Sequence, residues 1–151
     1  MIARTTLAPL LLAAATFGCG SRQAPAQCQT TCSPAPIERC AAESARSVSD
    51  VLASTDIAGN EAAVRGRVAQ GSVICEHGGA CDRCKGSLIL VEEGAKGFVI
   101  LRGERMACRG MREEQLCCGV DAMGKNVVAR GTLHRDVRST WIETSVLCSA
   151  E

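Results

Sequence analysis

A chain of 151 residues is long enough for one domain with its own core, and its 17 basic and 16 acidic side chains leave almost no excess charge. That balance excludes electrostatic capture of nucleic acid, which takes a clustered basic excess. With two phenylalanines, one tryptophan and no tyrosine, binding by stacking on bases or sugars is also hard to build.

The N-terminus reads as a targeting segment. Arg4 precedes an apolar stretch, Leu7 to Phe17, interrupted by Pro9 and Thr16. The stretch is too short to cross a bilayer, which takes about 20 apolar residues, and it suits the apolar core of a signal peptide. Removing Arg4 with that leader leaves 16 basic against 16 acidic residues.

Two processing sites follow. Thr16-Phe17-Gly18-Cys19 resembles the bacterial lipobox, in which a small residue precedes the cysteine that is lipidated, cleaved and N-acylated. Gly18 and the Cys19-Gly20-Ser21 run fit that pattern, while Thr16 and Phe17 stand where the family prefers leucine and a small residue. The resemblance implies lipid attachment at Cys19, palmitate among the acyl groups, and stable anchoring, since two or more chains hold a protein on a membrane. The competing site is Ala24-Pro25-Ala26, which would release the protein after Ala26.

Eleven cysteines are present, and either route leaves ten for the folded part: Cys28, Cys32, Cys40, Cys75, Cys81, Cys84, Cys108, Cys117, Cys118 and Cys148. In an oxidising compartment such density reads as a disulfide framework, with connectivity open. Adjacent Cys117 and Cys118 are expected to fasten to two different places, with Cys148 a natural partner for one. Residues 20–42 are rich in Ser, Gln, Pro and Ala and lack apolar periodicity, the composition of a linker. Their three cysteines predict that the segment is stapled onto the domain surface.

From Glu43 onward the pattern is that of one domain. Val48, Val51 and Leu52 predict a short helix ending before the Asp56–Gly59 turn. Ala62–Val68 predicts a strand able to run on to Ile74; Ser87–Val91 and Gly97–Leu101 predict a hairpin across Glu92–Lys96. Met111, Gln115 and Cys118, with charges between, predict a short amphipathic helix within Cys108–Cys118. Asn126–Leu133 and Thr140–Leu147 predict a closing hairpin that turns at Asp136–Ser139.

Asp56 to Val68 matches Asp121 to Leu133 at a constant offset of 65. Each copy has Asp, two residues, a turn glycine (Gly59, Gly124), small apolar residues, then Arg-Gly (Arg65-Gly66, Arg130-Gly131). A glycine within a strand marks a bulge or bend, so Gly66 and Gly131 predict two strongly coiled strands. Duplication and a shared geometric need explain the match equally well.

Five strands with a helix between the third and fourth resemble the OB-fold. The Val51-Leu-Ala-Ser54 lead, the Gly59-Asn60 turn and Ala62-Ala-Val-Arg-Gly-Arg-Val68 are similar to OB-like domains of bacterial lipoproteins, over residues 62–148. The aromatic binding face of ligand-binding OB domains is not part of the resemblance.

Cys75-Glu-His77-Gly-Gly-Ala-Cys81-Asp-Arg-Cys84 offers four zinc ligands of the correct type, but Cys75 and His77 are spaced unlike ligand pairs, and disulfides are the expectation. Cys81–Cys84 has the C-x-x-C spacing without the following helix that thiolate chemistry needs. His134 beside Arg135 and Asp136 is expected at a hairpin end in solvent, and Glu92-Glu93 and Glu113-Glu114 are expected to face water.

The chain is thus expected to be mainly β: a five-stranded, disulfide-rich, OB-like small barrel with a short helix between strands 3 and 4. Its organisation is a signal peptide at 1–18, a cysteine-containing tether at 19–42 and the domain at 43–151. The expected role is that of an exported cell-envelope lipoprotein, anchored to the membrane and facing the periplasm or exterior. It is expected to be non-catalytic, without metal or cofactor, and to bind or support a protein partner rather than nucleic acid. The alternative is a thiol and histidine metal-binding lipoprotein.

Overall fold

A computed structural model of the chain describes residues 31–41, 44–56, 58–78, 81–113 and 116–150. The fold is mainly β and disulfide-rich. Its strands are β1 (Glu38–Arg39), β2 (Arg46–Ser47), β3 (Glu61–Glu76), β4 (Arg83–Val91), β5 (Val99–Arg102), β6 (Ala107–Gly110), β7 (Leu116–Cys118), β8 (Asn126–Arg135) and β9 (Thr140–Ser149). One six-residue α-helix, α1 (Val48–Ala53), precedes β3.

β3, 16 residues long, pairs antiparallel with β8 over Glu61–Arg67 and with β4 from Arg67 to Glu76. β4 also pairs with β5, β5 runs parallel to β9, and β9 is antiparallel to β8. Strict alternation turns Val64, Val68, Leu88, Leu90, Val99, Leu101, Val127, Leu133 and Ile142 to one side, where they are buried. Val48 and Val51 of α1 join this core with no exposed area. Each such side chain contributes about 1.5–3 kcal/mol of burial.

Helix α1 is too short to persist alone, and both ends are tied. Ser47 and Asp50 form a capping box at the N-terminus. At the other end the Arg135 guanidinium donates to the carbonyls of Val51, at 2.6 Å, and of Leu52 and Ser54. These carbonyls have no partner within the helix.

The two repeat copies pair with each other. Glu61↔Thr132 in one half of the β3–β8 ladder corresponds, shifted by 65, to Asn126↔Arg67 in the other. The Gly59 and Leu133 N–H groups donate to Leu133 and Asn60 carbonyls, and the Gly124 and Val68 N–H groups donate to Val68 and Lys125 carbonyls. The ribbon therefore has a local two-fold arrangement in which each copy's turn closes over the end of the other's strand. Both turn glycines have positive φ, 86° and 76°, as L side chains rarely do. Gly131 lies at a register shift in β8–β9, where the Glu143 carbonyl approaches too closely for a Cβ. Gly66 has no such shift; in β3 the irregularity falls between Gln70 and Val73.

The helix expected between the third and fourth strands is not formed. Glu104–Met106 make one 3-10 turn, and the segment then folds as the β6–β7 hairpin. Cys108 stands directly opposite Cys118 and is bonded to it, and β6 pairs with β4. An eleven-residue amphipathic pattern carries too little helix stability to resist these tertiary constraints.

Four disulfides are described: Cys32–Cys117, Cys40–Cys148, Cys75–Cys84 and Cys108–Cys118. Cys148 therefore pairs with Cys40 rather than with Cys117 or Cys118. Residues 32–40 form a strap bonded at both ends. The Ala35 N–H donates to the Gly119 carbonyl, the Asp121 N–H donates to Ala35, and β1 runs parallel to β9 at Cys148 and Ser149. The strap so covers backbone beyond β7 and at the very end of β9, at Cys148 and Ser149, where a free edge invites pairing with other chains.

Candidate functional site

Ile89 of β4, Ile100 of β5, Trp141 of β9 and His134 of β8 are successive register partners across four strands. They point away from the core, whose residues Leu90, Leu101, Ile142 and Leu133 alternate with them. The same alternation carries Phe98, just ahead of β5, to this outward side, where it is 47% exposed. Every aromatic residue after Phe17 is therefore on one face.

Trp141 is held from both sides. The His134 ring stacks on the indole with centroids 5.3 Å apart and planes 13° from parallel. Arg102, from the strand on the other side of β9, sets its guanidinium carbon 4.2 Å from the ring centroid. A cation over an indole contributes about 0.5–1 kcal/mol at an exposed site, which favours this arrangement of the two side chains about two- to fivefold. His134, expected free in solvent, is instead half of a stack. Beyond it, the Arg138 and Ser139 N–H groups donate to Asp136 and hold its carboxyl below the usual carboxylate range. Chemically, the arrangement offers apolar contact and a directed guanidinium; the imidazole is committed to stacking.

The other residues singled out by sequence lie elsewhere. Cys75 and Cys84 are opposite each other on β3 and β4 and bonded, and Cys81 is likewise in a disulfide. The C-x-x-C pair is thus not bonded to itself. His77 sits 3.1 Å from Asp82 on an exposed loop. Among the described residues no group of three or more metal-ligand types converges. Glu92, expected to face water, accepts from the Ser49 N–H at 2.8 Å, at the N-terminus of α1. That bond holds its carboxyl below the ordinary value, and the helix dipole favours the same charge. Glu93 and Glu113 are exposed. The signal peptide, Cys19, the Ala24-Pro25-Ala26 site, Cys28 and Glu114 lie outside the described residues.

Sequence reasoning noted Trp141 as rare and missed its neighbours. The available signal was the alternation Trp141-Ile142-Glu143; the contact with Arg102 depends on the parallel β5–β9 pairing, which no local pattern encodes. Comparison of the chain with protein-family models, curated proteins and solved structures finds no match.

Proposed function

We propose that the protein is a non-catalytic cell-envelope lipoprotein, carried on lipidated Cys19, whose domain is an OB-type barrel that contacts a protein partner. The observation that carries the reading is the outward face around Trp141. Trp and Arg are enriched among the residues that dominate the energetics of protein interfaces, and a chain this poor in rings keeps exposed Phe98 and half-buried Trp141 on one outward face. The pairings run β3, β4, β5, β9, β8 and back to β3, the strand order of the OB-fold, which supports a barrel. Disulfide density supports an oxidising compartment.

The metal-binding alternative needs thiolates from Cys75, Cys81 and Cys84, and the structure has all three sulfurs in disulfides. Lipidation is tested by globomycin treatment and the mature N-terminus: a mobility shift and a blocked Cys19 support it, and a free N-terminus at Gln27 refutes it. For the partner, a photoreactive residue at Phe98 in cells should give a discrete adduct that is lost in Trp141→Ala. An adduct unaffected by Trp141→Ala and Arg102→Ala, or obtained equally from the remote position Lys125, sinks the binding face.

A further inference from the structure

β8 covers one edge of β9 along nearly its whole length, but the other edge is covered only in part. β5 ends at Arg102 opposite Glu143, and β1 begins at Glu38 opposite Cys148. Between them, among the described residues, Thr144–Leu147 pair with no strand on that side, although Gly103, leaving β5, lies against the Thr144 carbonyl. Among the described residues no loop backbone hydrogen-bonds to them either. A bare edge of this kind is a template for an added strand.

We propose that the edge from Thr144 to Leu147 is a slot for an extended peptide segment of a partner protein, which adds as a short strand parallel to β9. Direction follows from the neighbours: β5 and β1 both run parallel to β9, so the guest completes their line. Four residues span about 13 Å at strand rise. Beside the edge is a hollow of about 710 Å³ reached by Ile37, Met106, Val120 and Leu147. Met106 and Val120 are almost wholly buried, so the deep part is apolar and takes an aliphatic side chain. At the rim, Arg39, Arg105 and Arg130 stand against Glu38 and Glu104, all exposed. The surplus guanidinium favours a carboxylate next to that aliphatic anchor. The slot is an edge site, independent of the face around Trp141, and either can fail without the other.

The test is selection of eight-residue peptides from a random display library on the purified mature protein with native disulfides, followed by synthesis and amide NMR. The expected binders pair an aliphatic with an acidic residue, shift the amides of Thr144–Leu147 and slow their hydrogen exchange. Ile37→Trp, which fills the hollow, should weaken them at least about tenfold, a loss of about 1.4 kcal/mol. Arg105→Glu, at an exposed position that leaves the core untouched, should turn the preference towards basic flanks. Phe98→Ala should change nothing. Failure to select any peptide, shifts confined to the Trp141 face, or binding indifferent to both slot variants overturns the proposal.

Discussion

Arg135 joins the end of β8 to the end of α1 through carbonyls that the helix itself cannot satisfy. Charged hydrogen bonds of this kind contribute about 1.5–3 kcal/mol, and their loss leaves carbonyls unpaired. Arg135→Ala is therefore expected to lower unfolding free energy by about 2 kcal/mol in urea titration, and Arg135→Lys to recover only part of it, since an ammonium lacks the planar fork. Glu92 and Asp136 add an acid limb. Both carboxyls titrate below their unfolded values, so their contribution is complete above the unfolded value. It is lost as pH falls through the lower folded one. Stability of Glu92→Gln should consequently depend less steeply on pH below about 4.5 than that of the parent. Of these residues the sequence announced the turn at Asp136, through Asp and Ser chemistry. It gave no sign of the roles of Glu92 and Arg135, because their partners are 43 and 84 positions away.

Elements with strong periodicity were legible: α1, both predicted hairpins, and β3 running past Val68 to Glu76. The β6–β7 segment was not, since cross-strand cysteines decided it and cysteine pairing has no local signature. The offset-65 match was legible as a repeat, and its physical meaning emerged from the ribbon: two turns with one geometry close on each other's strands. Gly59→Ala and Gly124→Ala should therefore cost alike, about 1–2 kcal/mol each, with nothing within 4 Å of either added Cβ to distinguish them. A calorimetric difference of more than about 1 kcal/mol between the two variants would break that equivalence. The outward Trp141 row was half legible, as alternation within β9 but not as a neighbour of Arg102.

At the scale of the whole molecule, disulfides act unequally. Cys40–Cys148 and Cys32–Cys117 span 108 and 85 residues, whereas Cys75–Cys84 and Cys108–Cys118 span 9 and 10. Loop-closure entropy assigns about 4.5–5 kcal/mol to each long bridge and about 2.5 to each short one. Replacing Cys40 and Cys148 by alanine should thus lower the urea midpoint markedly more than replacing Cys75 and Cys84. The strap, compositionally a linker, is by this measure a principal stabiliser. The most direct measurement is a non-reducing peptide map of the protein isolated from the envelope fraction and alkylated before unfolding. The expected result is no alkylated cysteine among the nine described and the pairs 32–117, 40–148, 75–84 and 108–118. Free thiols at Cys75, Cys81 and Cys84, or a strap cysteine bonded elsewhere, would contradict it.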